Sequence, residues 1–150
     1  MFNYESVDLL FLGKLARILA FNLRTGDSIS LSGDLGVGKT SFVKLLVNAL
    51  IPSEDVSSPT FNIVNQYHFN KFTIYHIDLY RINSLFEIYD IGIDTIFDND
   101  VGIVEWPDLL SNIVNFNLRI NIQYSIKDVL RNINVSTDDD FWYNILKSII

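Results

Sequence analysis

The sequence contains no cysteine, so disulfide bonds, thiol nucleophiles and cysteine-based zinc sites are excluded. It also lacks a run of about 18 apolar residues, the length that a membrane-spanning helix requires. The first five residues, MFNYE, do not show the basic and then apolar order of a signal peptide. We therefore expect a cytoplasmic protein that has no membrane partner.

Positive charge is scarce, because 11 Lys and Arg stand against 18 Asp and Glu and the formal net charge is −7. An acidic protein repels phosphodiester backbones, so autonomous binding of DNA or RNA is disfavoured and a partner would have to hold any nucleic acid. Apolar residues are abundant, at 49% of the chain, with 11 Phe, 7 Tyr and 2 Trp. A chain of 150 residues with this composition fits one domain, residues 1–150, around one sizeable core.

Apolar spacing predicts helices that alternate with strands early in the chain and strands that cluster late. The predicted helices are Ser6–Leu23 with Ser6 as its cap, Ser41–Leu50, Leu85–Tyr89, Ile93–Phe97, Pro107–Ile113 and a last helix capped by Asp138. The predicted strands are Ser28–Ser32, Phe61–His68, Phe72–Asp78, Val101–Glu105, Leu118–Tyr124 and Val129–Val135. This order indicates an α/β protein in which helices cover a mixed sheet.

The segment Gly33–Thr40 matches the pattern G-x-x-x-x-G-K-[ST] at every fixed position, between a predicted strand and a predicted helix. Glycines let backbone amides turn towards phosphate oxygens, and the N-terminus of the following helix faces the same anion. Lys39 can reach the β- and γ-phosphates, and the Thr40 hydroxyl can ligate Mg²⁺. We predict that ATP or ADP binds, with Mg²⁺, to Gly33, Asp34, Leu35, Gly36, Val37, Gly38, Lys39, Thr40 and Ser41.

Two predicted strands end on an acid, Asp78 and Glu105. Magnesium on a nucleotide takes a carboxylate from an adjacent strand end, and hydrolysis needs a group that orients water. We expect at least one of the two acids in the site. The residues alone do not decide which acid serves the metal and which serves water.

Other residues near these acids have two interpretations each. Trp106 either packs in the core or stacks on the adenine ring. His76 is expected to be structural, although it shares a strand face with Asp78 and orientation of the site is the alternative. The acids between Asp78 and Asp108 outnumber the single base, Arg81, and form either a solvated surface or a surface for a basic partner.

Four sequence blocks occur in an order that is specific to one family. The blocks are Ser32–Phe42, Ser57–Phe61 with Val64–Tyr67, Tyr75–Arg81 and Val104–Pro107. With them the chain resembles the TsaE (YjeE) family, the ATPases of bacterial tRNA threonylcarbamoyladenosine (t6A) biosynthesis. The resemblance covers nearly the whole chain. It implies a P-loop NTPase-like fold of three αβα layers, with a mixed, mostly parallel sheet and antiparallel C-terminal strands.

The resemblance also implies catalytic roles for Lys39, Thr60, Asp78 and Glu105. Thr60 would lie in a switch-like loop near the γ-phosphate and Mg²⁺, and Asp78 would help to position water or metal. Glu105 would be the acidic magnesium partner, and Trp106 would lie close to the nucleotide base.

In the family, the TsaB–TsaD transferase pair attaches threonylcarbamoyl to adenosine 37 of tRNA. The resemblance implies an ATPase that binds this pair, resets it by hydrolysis and meets tRNA only indirectly, with weak activity alone. Two positions depart from the family pattern. Leu9 stands where many members have Thr near the base, and Asp108 follows Glu-Trp-Pro where Glu is common.

Three alternatives stay open. A small-molecule P-loop kinase needs Arg or Lys residues over the transferred phosphate. In this sequence the Lys and Arg residues that follow the phosphate loop and its helix are scattered. A GTP-binding switch carries Asn-Lys-x-Asp, whereas the one Asn-Lys pair, Asn70-Lys71, is followed by Phe72-Thr73. A nucleotide-dependent binding module is the third alternative.

Overall fold

The computed structural model describes residues 1–59, 61–127 and 129–149, with Asp94 described through its backbone alone. In chain order the elements are β1 (Phe2–Val7), α1 (Leu9–Phe21), β2 (Ser28–Ser32), α2 (Lys39–Leu50), β3 (Val64–His68), β4 (Thr73–Asp78), α3 (Leu85–Asp90), α4 (Ile93–Asn99), β5 (Val101–Glu105), a 3₁₀ helix (Pro107–Leu110), β6 (Leu118–Tyr124), β7 (Arg131–Ser136) and α5 (Asp140–Lys147).

The seven strands form one sheet in the order β1-β7-β6-β2-β5-β4-β3. The pairs β6–β2, β2–β5 and β5–β4 in its centre are parallel, and the outer pairs β1–β7, β7–β6 and β4–β3 are antiparallel. The predicted mixed sheet with antiparallel C-terminal strands is confirmed. Because parallel strands end at the same sheet edge, the ends of β2, β4 and β5 come together there.

Helices cover both faces of this sheet. Alternating residues of β2 show the division, because Ile29 and Leu31 join the larger buried cluster while Ser28 and Ser30 point to the opposite face. The larger cluster includes apolar residues of α1, α2 and α5, and the second cluster includes residues of α3, α4 and the 3₁₀ helix. The arrangement is the three-layer α/β fold that the sequence predicted.

The N-terminus differs from the prediction. Residues Phe2–Val7 form a strand, and α1 begins at Leu9 with Asp8, not Ser6, as its cap. The Asp8 carboxylate accepts the Phe11 N–H at 2.8 Å. Ser6 instead belongs to the strand that pairs with β7, and pairing of such distant segments cannot be inferred from local helical spacing.

The cap of the last helix also differs from the prediction. Asp139, not Asp138, accepts the N–H groups of Phe141 and Trp142. Asp138 forms an ion pair with Arg119 on β6, which holds its carboxylate away from the helix. Among the helices of the described ranges, each falls short of the length and hydropathy that a membrane span needs.

Candidate functional site

The predicted phosphate loop lies between the end of β2 and the start of α2. Its glycines have positive φ angles, 136° at Gly33, 76° at Gly36 and 114° at Gly38, a region that side-chain-bearing residues enter only with strain. A β-carbon on Gly33 would lie 2.1 Å from the Ile122 carbonyl oxygen of β6. The loop therefore needs glycine both for its backbone path and for this close approach.

The Lys39 ammonium is buried beneath the loop, with 4% of the residue exposed. Its Nζ atom donates to the carbonyl oxygen of Gly33 at 2.7 Å and to that of Asp34 at 2.9 Å. Burial lowers the pKa of Lys39, and the nearby carboxylates of Glu105 and Asp78 oppose that shift. Because no described carboxylate lies within ion-pair distance of Nζ, the ammonium can take an anion from outside the chain.

Glu105 joins two parts of the site. Its Oε1 atom accepts a hydrogen bond from the Thr40 hydroxyl at 2.8 Å and one from Nε2 of His76, also at 2.8 Å. His76 is fully buried, and its Nδ1 atom has no hydrogen-bond partner within the described part of the chain. The contact with the carboxylate favours an orienting role for His76 over a purely structural one, because it fixes Glu105 beside the first turn of α2.

Asp78 and Glu105 are paired across β4 and β5 at the same edge of the sheet. Asp78 accepts hydrogen bonds from the Tyr80 backbone N–H at 3.0 Å and from the Ser58 hydroxyl at 3.4 Å. The structure therefore brings both strand-end acids to the phosphate loop. Thr60, for which a role near the γ-phosphate was predicted, lies outside the described residues.

Trp106 lies against the loop lysine. The centroid of its ring is 4.0 Å from Nζ of Lys39 and 4.9 Å from the centroid of the Tyr80 ring. The Trp106 backbone is left-handed, with a φ of 57°, where β5 passes into the 3₁₀ helix. Part of the side chain packs on the second buried cluster. Trp106 thus has a core face and a face towards the site.

A cavity of about 390 Å³ opens between the loop and the two acids. Its lining includes most of the predicted site residues, namely Leu35, Gly36, Gly38, Lys39, Thr40, Ser41, Asp78, Glu105 and Trp106. Gly33, Asp34 and Val37 are not part of the lining; Val37 is buried in the larger cluster and Gly33 lies against β6.

Several residues at the site were given no role from the sequence. Three of them, Ser58, Tyr80 and Arg81, line the cavity. They belong to the sequence blocks that also contain Pro59 and Asp78, and this proximity in sequence could have indicated a place in the site. Tyr124 and Arg131 donate to carbonyl oxygens of the phosphate loop from β6 and β7. No local pattern indicates this second group, because the hairpin is distant from the loop in sequence.

Comparison with known proteins agrees with this architecture. The family model "Threonylcarbamoyl adenosine biosynthesis protein TsaE" matches residues 11–133. The crystal structure of YdiB from Bacillus subtilis superposes with a TM-score of 0.79 at 26% identity, covering 99% of this chain and 93% of that one.

Curated relatives named tRNA threonylcarbamoyladenosine biosynthesis protein TsaE give the same result. The Rickettsia felis protein is 37% identical over 102 residues, which are 67% of this chain and 60% of the relative. The Borreliella burgdorferi protein is 47% identical over 96 residues, 63% of this chain and 69% of the relative. The chain thus spans about three fifths of the Rickettsia felis relative. The family match extends over most of the chain and includes the phosphate loop, both strand-end acids and Trp106, and the chain belongs to the TsaE family.

Proposed function

We propose that this chain is a cytoplasmic magnesium-dependent ATPase that serves the formation of threonylcarbamoyladenosine in tRNA. One observation carries the proposal: a glycine-rich loop with a buried lysine opens on the same cavity as Thr40 and Glu105, whose oxygens lie 2.8 Å apart. A hydroxyl and a carboxylate beside a phosphate-binding loop are the protein ligands that a nucleotide-bound Mg²⁺ takes.

The loop supplies the phosphate-binding part of the proposal. Its glycines leave the cavity open on the backbone side, and an added β-carbon at Gly38 would meet no heavy atom within 4 Å. The N-terminus of α2 faces this space, and Lys39 adds a full positive charge. Residues 33–41 would therefore hold the phosphates of ATP or ADP.

The donor set suits magnesium that arrives with the nucleotide. No group of three or more His, Asp or Glu residues that could hold a metal by themselves occurs within residues 1–59, 61–127 and 129–149. Mg²⁺ keeps several waters and uses one or two protein ligands together with phosphate oxygens. Thr40 and Glu105 would be these ligands, and bound Mg²⁺ would neutralise charge on the β- and γ-phosphates.

The remaining site residues have roles in the proposed hydrolysis. Asp78, next to Glu105 on the sheet edge, would orient the attacking water through its carboxylate. Lys39 would stabilise negative charge on the transferred phosphoryl group. The role of Thr60 near the γ-phosphate stays a prediction. Trp106, whose ring lies over the Lys39 ammonium, would contact the bound nucleotide.

The biological role rests on the relatives, whose names assign them to t6A biosynthesis. We propose that the TsaB–TsaD transferase pair is the partner and that ATP hydrolysis acts on this pair. The net charge of −7 supports an indirect contact with tRNA, because the partners would hold the polyanion.

The experiment measures ATP hydrolysis by this chain alone, with the transferase pair, and with the pair plus tRNA, and it scores modified adenosine in the tRNA. We expect hydrolysis to rise with the partners and t6A to form only when ATP is present. Lys39→Ala is the matched variant, and it should abolish both signals. Consumption of ATP that requires a small acceptor molecule instead would indicate a kinase, and full function of Lys39→Ala would reject the proposal.

A further inference from the structure

The hairpin of β6 and β7 contacts the phosphate loop at two backbone carbonyl groups. The Arg131 Nε atom donates to the Val37 carbonyl oxygen at 2.8 Å, and the Tyr124 hydroxyl donates to the Leu35 carbonyl oxygen at 3.3 Å. Tyr124 and Arg131 are paired directly across the two strands. The Arg131 guanidinium carbon also lies 4.7 Å from the centroid of the Tyr124 ring. The two donors therefore form one unit at the end of the hairpin.

These contacts orient peptide planes whose other side faces the cavity. A peptide unit is planar and trans, so its C=O and N–H groups point in opposite directions. The Leu35 carbonyl shares a peptide unit with the Gly36 N–H, and the Val37 carbonyl shares one with the Gly38 N–H. When both carbonyls are held on the hairpin, the two glycine amides point away from it. Gly36 and Gly38 line the cavity.

The loop motif itself does not supply this restraint. Lys39 holds the carbonyls of Gly33 and Asp34, which orient the amides earlier in the loop. The later carbonyls are held by residues 89 and 94 positions away in the chain. Gly36 and Gly38 have no side chains that could restrain their peptide planes, and glycine rotates more freely than any other residue. External anchors therefore have the larger effect at these two units.

We propose that Arg131 and Tyr124 are positioning residues that hold the Val37 and Leu35 carbonyls outward and so aim the Gly38 and Gly36 amides at the bound phosphates. This inference rests on the proposed nucleotide binding. Arg131 contributes more than Tyr124, since its hydrogen bond is shorter and is donated by a charged group. The hairpin completes an anion-binding loop that preorganises its donors before the nucleotide arrives.

The test uses the full chain with Arg131→Met, Arg131→Lys and Tyr124→Phe. Lys127→Met is the matched control, because it removes a cation from an exposed side chain on the same hairpin. Selective ¹⁵N-glycine labelling gives seven amide signals, one for each glycine. In the nucleotide-free protein we expect Arg131→Met to shift and broaden the Gly38 signal and Tyr124→Phe to shift the Gly36 signal. The Gly13 and Gly26 signals should not move.

Titration calorimetry with Mg-ADP gives the second readout. Each hydrogen bond is worth about a 3-fold to 10-fold change in affinity, so Arg131→Met and Tyr124→Phe should bind more weakly by about that factor. Arg131→Lys should recover part of the loss because it keeps a cationic donor, and Lys127→Met should bind as the unmodified chain does. Thermal melting of each variant separates this effect from loss of the fold.

The outcomes distinguish two failures. If Tyr124→Phe, Arg131→Lys and a folded Arg131→Met all bind Mg-ADP with unchanged affinity, the proposed role of the hairpin is overturned. The proposal that the chain binds nucleotide is then unaffected. Absence of saturable binding by the unmodified chain overturns the proposed function, and this inference with it.

Discussion

The Thr40 hydroxyl donates a hydrogen bond of 2.8 Å to Oε1 of Glu105, although the two residues are separated by 65 positions in the chain. Thr40 lies in the first turn of α2, and Glu105 ends β5. The parallel pairing of β2 with β5 produces this contact, because it brings the strand before the loop beside the strand that ends on the acid. The sheet therefore assembles the two proposed magnesium ligands.

Replacement of that carboxylate tests the proposed metal ligand. Glu105→Gln keeps the volume of the side chain and removes its charge. We expect magnesium-dependent ATP hydrolysis to fall by roughly 10-fold to 100-fold, while Mg-free nucleotide binding changes little. The measurement is the hydrolysis rate across a magnesium titration, with affinity followed by calorimetry in EDTA.

The matched control is Glu87→Gln, which removes one exposed acidic charge on α3, outside the cavity. It should hydrolyse ATP as the unmodified chain does. If Glu105→Gln also keeps its rate while Asp78→Asn loses its magnesium response, Asp78 is the metal-side acid and the assignment of the two acids is reversed.

The position of the Trp106 ring in the cavity wall, beside the Lys39 ammonium, predicts a contribution to nucleotide affinity. Trp106→Ala removes a ring that lines the cavity, and we expect affinity for Mg-ADP to fall by about 3-fold to 10-fold, the range of one aromatic contact with the nucleotide. Calorimetry measures the change. Trp142 is fully buried and remains as the single tryptophan, so its fluorescence reports whether the variant is folded. A folded variant with unaltered affinity would assign Trp106 to the core alone.

Replacement by alanine is expected to change the free energy of unfolding in opposite directions at two glycines. Gly33→Ala places a β-carbon 2.1 Å from the Ile122 carbonyl oxygen, so we expect a loss of about 1–3 kcal/mol in the free energy of unfolding, and weaker nucleotide binding. Gly13→Ala in α1 meets no heavy atom within 4 Å and should gain up to about 1 kcal/mol through helix propensity. Urea denaturation of both variants measures the difference, and equal stabilities would contradict the close approach of β6 to the loop.

We expect the Asp139 carboxylate to contribute a part of the folding stability that depends on pH. Burial opposes ionisation, but hydrogen bonds from Arg24 and from the Phe141 and Trp142 amides outweigh it and lower the pKa of Asp139 below its ordinary value near 3.8. A depressed carboxyl pKa stabilises the fold above the unfolded value, and this stability is lost as the pH falls through the folded value.

We therefore expect Asp139→Ala to lower the free energy of unfolding by about 1 kcal/mol at pH 7 through the lost helix cap, with a smaller difference in acid. Urea denaturation at pH 7 and below pH 3.8 measures this dependence. Asp140→Ala, one residue further on and exposed, is the control. A cost for Asp139→Ala that is the same at both pH values would contradict the ionic contribution.

Much of the candidate site was predictable because its functional groups lie close together in short segments of the sequence. The phosphate loop carries its own glycines, lysine and hydroxyl within nine residues of chain, 33–41, and the strand before it is apolar enough to be recognised. The acids Asp78 and Glu105 were predictable for a related reason, since each ends an apolar run that predicts a buried strand.

The N-terminal strand was missed for a different physical reason. Residues Phe2–Val7 acquire their hydrogen bonds from β7, more than a hundred positions later, and a strand at a sheet edge has no local pattern as strong as the helical one that follows it. Because this strand was missed, Ser6 was predicted as the cap of α1, whereas the structure has Asp8 there.

Local sequence thus determined the loop at which we propose that phosphate binds, since backbone path, charge and helix N-terminus depend on neighbours along the chain. Tertiary structure alone decided which distant groups lie at that loop. The contacts of Glu105 with Thr40 and His76, and of the hairpin residues Tyr124 and Arg131 with the loop carbonyls, exist because strand pairing sets the register between segments. Register is a property of the assembled sheet, and no single segment encodes it.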